Sequence, residues 1–211
     1  MATHIHEEEQ VEALKRWWKE NGTSIVAGVI LGLAGIFGWN AWQNHQRVQA
    51  EQAASLYAQL LDAVESRQYP LAEGLVQRLT SEFGSTAYAD FARLLAAKAA
   101  VEQNDLEKAK KYLGQLVTAG EDENFRHIAR LRLARVHLAA GHPEDGLKLL
   151  DSADVGDPGG FVGQYEELKG DLYVALGQLQ QAATAYQKAI ELGRDDAYLK
   201  MKLNDLGLES S

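Results

Sequence analysis

The chain contains no cysteine, which excludes disulfide bridges and thiolate metal sites as sources of its stability. Proline is also scarce, with three residues in 211, and basic residues are fewer than acidic ones. The resulting formal net charge of −9 argues against a nucleic-acid-binding protein, because such proteins present a basic surface. Scarce proline, abundant Ala and Leu, and the lack of alternating Val and Ile predict an all-α fold.

Charged residues are missing from one long segment near the N-terminus. Residues 21–46 contain no Asp, Glu, Lys or Arg, and residues 25–42 are almost wholly apolar. A helix needs about 20 such residues to cross the ~30 Å hydrocarbon core of a lipid bilayer. The tryptophans stand at the two ends of this segment, as interfacial anchors do: Trp17, Trp18, Trp39 and Trp42. We therefore predict a transmembrane helix at residues 23–43 rather than a buried core helix.

The basic residues beside this helix predict its orientation. Lys15, Arg16 and Lys19 precede it, whereas Arg47 is the only basic residue between the helix and Arg67. Under the positive-inside rule this asymmetry places the N-terminus in the cytoplasm and everything after the helix outside it. The apolar run is long, and tryptophans occupy the place of a cleavage site, so we predict an uncleaved signal-anchor rather than a signal peptide.

A second amphipathic pattern lies before the membrane segment, in a predicted cytoplasmic tail of residues 1–22. Apolar residues recur there at helical spacing: Val11, Leu14, Trp17 and Trp18. The pattern predicts a short amphipathic helix in the cytoplasmic interface. Asn21 and Gly22 are typical of a helix end, so we expect this helix to stop there.

Glycine recurs along the predicted transmembrane helix, at Gly28, Gly32, Gly35 and Gly38. Small residues let two helix backbones approach closely in lipid, so this ridge predicts packing against a partner helix. Glycine is also more frequent in membrane helices than in soluble ones, and this alternative stays open.

The remainder of the chain repeats. Four turn positions, Arg67, Asn104, Gly141 and Gly177, are 37, 37 and 36 residues apart. A period of this size is typical of stacked helical hairpins, none of which can bury its apolar face alone. We therefore predict that residues 44–211 form an α-solenoid of about four hairpins.

The last repeat identifies the kind of hairpin. It fits the tetratricopeptide spacing, in which small residues let the two helices close and aromatic residues wedge between hairpins: Gly170, Tyr173, Gly177, Ala182, Tyr186 and Ala189. Residues 195–208 have leucines near helical spacing and predict a closing helix over this repeat. The fold class is thus a transmembrane helix followed by a tetratricopeptide-like solenoid with a capping helix.

Motifs of catalysis are absent from the sequence. The histidines lack the HExxH spacing of zinc enzymes, and no serine lies in a GxSxG context. The glycine-rich run at residues 156–160 lacks the Lys-Ser/Thr pair of a phosphate-binding loop. We therefore predict a non-enzymatic protein with no catalytic residues, cofactor or metal.

A binding surface is the remaining prediction, because the first helix of each hairpin lines one side of a solenoid. By helix register the candidate groove residues are Phe91, Leu94, Lys98, Arg132, Arg135, Leu138 and Asp171. Residues 93–135 contain nine Lys and Arg against six Asp and Glu, whereas residues 136–211 contain six against thirteen. A basic, partly apolar centre would suit an extended peptide or a partner surface. The alternative is that these charges only solvate the helices.

Several segments together resemble the YfgM family, the ancillary subunits of the bacterial SecYEG translocon. They are QVEALKRWWKENG at residues 10–22, GVILG at 28–32, GWNAW at 38–42, ARLRLARV at 129–136 and MKLNDL at 201–206. The resemblance covers nearly the whole chain. It implies a bacterial inner-membrane protein whose repeat domain lies in the periplasm beside SecYEG.

The resemblance also implies partners. One is a membrane-anchored periplasmic chaperone of the PpiD type. The others are nascent secreted or outer-membrane proteins, which would bind transiently on their way to periplasmic chaperones. An envelope-assembly scaffold with no direct role in secretion is the alternative function.

Overall fold

Helices make up the secondary structure of this chain. The computed structural model describes the backbone of residues 2–194 and 196–207, and the side chains of these residues except residues 2–10 and Ala153. The α-helices are α1 (Ala2–Glu65), α2 (Tyr69–Glu82), α3 (Ala87–Glu102), α4 (Leu106–Ala119), α5 (Glu123–Ala139), α6 (Pro143–Leu150), α7 (Val162–Ala175), α8 (Leu179–Glu191) and α9 (Ala197–Asn204). Two 3-10 turns, Ala153–Val155 and Gly159–Phe161, connect α6 to α7. The predicted all-α fold is confirmed.

The helices from the end of α1 onward pair into four hairpins: residues 52–65 with α2, α3 with α4, α5 with α6, and α7 with α8. Helix α9 follows as the closing helix. The predicted solenoid with a capping helix is therefore confirmed. The predicted limits of the closing helix, Asp195 and Leu208, lie outside the described residues.

Each hairpin turn has the same backbone conformation. The four turn residues found by spacing all have a positive φ: 56° at Arg67, 59° at Asn104, 77° at Gly141 and 71° at Gly177. In each turn the amide of the next residue donates to the carbonyl five residues earlier, at 2.8 to 2.9 Å. This is the Schellman motif, which satisfies carbonyls at a helix end. The left-handed conformation costs a non-glycine residue about 1–2 kcal/mol, so the first two turns are the strained ones.

The core consists of layers between neighbouring hairpins. One cluster joins residues 53–64 of α1 to α2 and α3, and the next joins α3, α4 and α5. A third joins α5, α6 and α7, and a fourth holds α9 against α8 through Leu199, which is fully buried. Partly buried side chains such as Tyr112 and Leu149 belong to two successive clusters. Each repeat is thus stabilised mainly by its neighbours in the chain.

Residues 1–51 form a separate compact unit, in which α1 continues without interruption. The predicted helix end at Asn21 and Gly22 is wrong. The side-chain Nδ2 of Asn21 donates to the Trp17 carbonyl one turn back, at 3.0 Å. Gly22 is buried under the Trp18 ring, which lies about 3.1 Å from the place of a Cβ at this residue. A glycine inside a helix costs only about 1 kcal/mol, so local packing is sufficient to continue the helix.

The part of α1 from Val11 onward is long and apolar enough to cross a membrane. Its most apolar 18-residue window has a mean hydropathy of 1.8, and 6% of that window is buried by the chain itself. The four tryptophans are about half exposed, and Trp39 and Trp42 lie with ring centroids 5.1 Å apart. Their role as interfacial anchors stays a prediction.

The glycine ridge of this segment is open. A Cβ placed at Gly28, Gly32, Gly35 or Gly38 would meet no described atom within 4 Å beyond the helix's own nearby backbone. The ridge is therefore free to contact another helix, and the predicted packing remains to be tested.

Candidate partner-binding cleft

A cleft of about 370 Å³ lies between α3, α4 and α5. We call it the central cleft, and its lining residues are Leu94, Ala97, Lys98, Val101, Glu102, Leu106, Leu113, Arg132, Arg135, Val136 and Ala139. Protein pockets that hold ligands are usually about 300–1,000 Å³ in volume. The cleft is thus large enough to receive side chains of a partner.

Helix register places the lining residues on facing sides of α3 and α5. On α3 they recur three and four residues apart, through Leu94, Lys98 and Val101, and α5 repeats the pattern from Arg132 to Ala139. Residues at this spacing lie above one another on one helix face. The floor is apolar and buried, with Leu113 from α4 only 1% exposed. The cleft is therefore an apolar floor between two parallel rims.

The rims of the central cleft carry positive charge. The Lys98 ammonium lies 3.6 Å from the Glu102 carboxylate, and both side chains are exposed. Arg132 and Arg135 are exposed as well, and neither guanidinium has an ion pair or hydrogen bond within the described part of the chain. The cleft thus has two exposed arginines whose guanidinium groups are engaged by no described residue.

The other arginines of α5 are engaged. Arg126 lies 3.8 Å from Glu123, and Arg130 is buried and binds the Asp154 carboxylate at 3.1 Å. The arginines of the same helix therefore divide into two that have partners and two that line the cleft.

An aromatic cluster continues the same face toward the N-terminal ends of α3 and α5. Phe91, one turn before Leu94, meets the Phe125 ring edge-on at a centroid distance of 5.0 Å. Tyr57 of α1 and Tyr88 of α3 also contact Phe91, at 5.9 and 6.1 Å. Phe91 remains 36% exposed. Five of the seven predicted groove residues, Phe91 and four of the central cleft, therefore lie on one continuous face.

Two predicted groove residues lie elsewhere. Leu138 packs into the cluster between α5, α6 and α7. Asp171 accepts hydrogen bonds from the Tyr186 hydroxyl at 2.7 Å and from the Lys202 ammonium at 2.8 Å. Their positions on first helices agree with the prediction, but neighbouring helices cover them. We therefore leave both out of the central cleft.

The contribution of α4 was missed by sequence reasoning, which considered first helices only. Leu106 and Leu113 of α4 complete the floor and are seven residues apart, so they lie on one face of that helix. That spacing is visible in the sequence. What it does not show is that the face reaches between α3 and α5.

A polar cluster beside α5 holds the connector between α6 and α7. Arg130 donates to the Leu149 carbonyl, to Ser152 at 2.8 Å and to Asp154, and Ser152 also donates to Asp154. The Arg130 guanidinium, followed by the Ser152 hydroxyl, lowers the pKa of Asp154 to about 2. These contacts fix a loop against a helix and leave no free reacting group at its centre.

The buried histidine in this region is also structural. His127 shares a hydrogen bond of 2.9 Å with the Tyr165 hydroxyl, and its ring packs against Phe161. Burial raises the pKa of Tyr165 to about 12, so this hydroxyl stays protonated at neutral pH. No group of three His, Asp or Glu able to hold a metal occurs among the described residues.

Ion pairs hold the closing helix. Lys202 of α9 binds Glu167 at 3.3 Å in addition to Asp171, and Arg194 binds Glu167 at 2.6 Å. Burial, followed by the hydrogen bond to Asp171, raises the pKa of Tyr186. Glu167 and Asp171 of α7 are thus paired with cations of the C-terminal segment rather than presented to a partner.

Comparison with known proteins agrees with this architecture. The family model of the tetratricopeptide repeat-like domain matches residues 15–208. A Haemophilus influenzae protein named ancillary SecYEG translocon subunit is 36% identical over 208 residues, covering 98% of this chain and 100% of the relative. An Escherichia coli protein of the same name is 32% identical over 211 residues, covering 99% and 100%.

A solved structure shares the fold. A tetratricopeptide repeat protein from Parabacteroides merdae aligns with a TM-score of 0.52 at 16% identity, covering 74% of this chain and 57% of that protein. At this identity the likeness shows the arrangement of helices alone. The full-length matches carry the assignment, and the apolar N-terminal helix fits a single-pass inner-membrane protein. The chain therefore belongs to the family of ancillary SecYEG translocon subunits with a tetratricopeptide repeat-like domain.

Proposed function

We propose that this chain is a non-enzymatic binding protein, anchored in the inner membrane by residues 23–43 and acting beside the SecYEG translocon. The observation that carries the proposal is the central cleft, which has an apolar floor and, at its α5 rim, two arginines that have no partner among the described residues. Such a surface is suited to receiving a protein segment. The relatives' name supplies the place of action, SecYEG.

The proposed orientation has the N-terminus in the cytoplasm and residues 44–211 in the periplasm. It is supported by Lys15, Arg16 and Lys19 before the apolar segment against Arg47 after it. In this orientation the repeat domain is on the side where secreted proteins emerge.

The absence of cysteine makes the orientation easy to test, because one introduced cysteine provides a single labelling site. We expect Ser85→Cys, in the exposed connector between α2 and α3, to react with a membrane-impermeant maleimide in intact spheroplasts. Ala13→Cys, exposed before the apolar segment, should react only after lysis. Labelling of Ala13→Cys and protection of Ser85→Cys in intact spheroplasts would show that the orientation is reversed.

On the periplasmic side we propose two kinds of partner for the cleft. One is a membrane-anchored chaperone of the PpiD type, and the other is a secreted or outer-membrane protein leaving the channel. Binding either would let this chain help to pass translocated proteins to periplasmic chaperones.

Photocrosslinking during export tests this role. We expect a photoreactive residue at Val101 or Arg135 of the central cleft to form adducts with a translocon subunit, a periplasmic chaperone or an exported protein. The matched control is Lys111, which is exposed on α4 and lies outside the lining. Adducts that do not depend on export and contain only envelope-assembly proteins would favour the scaffold alternative. Equal adducts from Lys111 would show that the cleft is not the binding surface.

A further inference from the structure

We propose that the central cleft recognises an acidic amphipathic protein segment, in which large apolar side chains stand beside Asp or Glu. The inference rests on the proposed function for its setting at the translocon. It adds the chemistry of the segment that binds, which neither the fold nor the family assigns.

The floor of the central cleft, with its composition and length, favours a bound segment with large apolar side chains. Buried Leu94, Leu113 and Val136 form the floor, and half-exposed Val101 extends it to one end. Val101 lies ten residues after Phe91 on α3, so the face is about 15 Å long at ~1.5 Å per residue. This length matches about three turns of a bound helix or about five residues of extended chain. Apolar anchors in such a cleft supply most of the affinity of a protein segment.

The charged residues of the rims determine which polar side chains the bound segment carries. The lining includes three basic residues, Lys98, Arg132 and Arg135. Its one acidic residue is Glu102, which lies next to Lys98. The charges of the two arginines are therefore not offset by an acidic side chain of the lining. Arg132 and Arg135 are also three residues apart on α5, so their guanidiniums lie on the same helix face.

Guanidinium groups in this arrangement favour carboxylates. An arginine forms two parallel hydrogen bonds with a carboxylate, and this geometry is stronger and more specific than a contact between point charges. A basic segment would meet the like charges of Arg132 and Arg135 at the α5 rim, which is unfavourable at an interface. The same cleft therefore attracts acidic amphipathic segments and rejects basic ones of equal hydrophobicity.

A fatty acid or lipid is the competing ligand, because it also combines an apolar body with an anionic group. Two observations favour the protein segment. The apolar face continues past the cleft to the aromatic cluster around Phe91, and the two unpaired arginines offer sites for more than one carboxylate. A single-chain fatty acid has only one carboxylate.

The test uses the full chain in phosphatidylcholine nanodiscs, with empty nanodiscs as the background. The probes are two fluorescein-labelled peptides of about 15 residues with identical leucine positions, one with Glu and the other with Lys at its polar positions. We expect the Glu peptide to bind at least about tenfold more tightly than the Lys peptide, and to weaken when salt is raised from about 0.15 to 0.5 M.

Charge reversal assigns the preference to the rims. In the Arg132→Glu/Arg135→Glu variant the Glu peptide should lose at least about tenfold in affinity and the Lys peptide should gain. Lys111→Glu is the matched control and should leave both affinities unchanged. Both arginines are exposed, so the thermal midpoint should stay nearly constant. If the double Glu variant fails to fold, Arg132→Gln/Arg135→Gln replaces it and should abolish the preference without reversing it.

Equal binding of the two peptides, or an unchanged preference in the double variant, would overturn the proposal. So would sodium laurate binding in the cleft when the Glu peptide does not bind, since the site would then be one for lipid. The assay contains no translocon, so its failure leaves the crosslinking result standing. Strong peptide selectivity without translocon adducts would in turn contradict the proposed function alone.

Discussion

Replacing Gly170 with Ala is expected to lower the free energy of unfolding by about 3 kcal/mol, because the two helices of the last hairpin touch at this residue. A Cβ at residue 170 would lie 2.2 and 2.3 Å from ring carbons of Tyr186, far inside van der Waals contact. Tyr186 is only 2% exposed, and its hydroxyl donates to Asp171. The ring is thus buried and held at its hydroxyl, so we expect the clash to push α7 and α8 apart.

The matched control is Gly74→Ala in the middle of α2, where a Cβ would meet no described atom within 4 Å beyond the helix's own nearby backbone. Alanine favours a helix over glycine by about 1 kcal/mol, so this variant should be slightly more stable than the original chain. Urea unfolding of the full chain in detergent, followed by far-UV circular dichroism, measures both. Equal stability of the two variants would show that α7 and α8 are not in close contact at Gly170.

Truncating Leu172 to Ala is expected to cost about 3 kcal/mol. Leu172 of α7 is fully buried in the cluster between α5, α6 and α7, with Leu131, Ala134 and Leu150. Its removal leaves a cavity where the third hairpin meets the fourth. Since repeats are stabilised chiefly by their neighbours, the loss should separate the unfolding of the last hairpin from that of the others. Urea unfolding with probes in α5 and α8 measures this separation.

Gly146 of α6 provides the second arm of a double-mutant cycle. A Cβ at this residue would lie 2.7 Å from Leu172 Cδ2 and 3.2 Å from the Ala134 carbonyl, so Gly146→Ala alone should cost about 2 kcal/mol by overpacking. The Leu172→Ala variant removes the closer of these two contacts. The double variant should therefore be more stable than the sum of the single changes predicts, by about 1 kcal/mol or more. Strictly additive effects would show that the two residues do not compete for space.

The regular features of the fold were predictable because local patterns determine them. Turn spacing located the left-handed residue of each of the four hairpin turns, including Arg67 and Asn104, where no glycine marks the turn. The absence of charge from residues 21–46 located the apolar segment of α1. The turns recur at a fixed interval and the apolar segment is one continuous run, so both can be recognised without knowing any tertiary contact.

Local signals misled where packing outweighed them. Asn21 and Gly22 are typical of a helix end, yet α1 continues because Asn21 bonds back to Trp17 and the Trp18 ring covers Gly22. The cost of glycine in a helix is small enough for one such contact to offset it.

The candidate site was predictable in part for the same reason. Register assigns a side chain to a helix face, and this placed Leu94, Lys98, Arg132 and Arg135 at one cleft. Register does not reveal what covers a face. Asp171 lies on a first helix as predicted, but its carboxylate binds the ammonium of Lys202, 31 residues later in the chain.

The sequence by itself determined the helical period, the turn positions, the apolar segment and the sign of the charge at the centre of the domain. Each follows from the order of neighbouring residues. The tertiary structure decided that α4 provides the floor of the cleft and that α9 neutralises the acidic side of α7. It also decided that Arg132 and Arg135 remain unpaired while Arg126 and Arg130 on the same helix have partners. These outcomes depend on which helices cross and at what distance, and that geometry arises only when the hairpins stack.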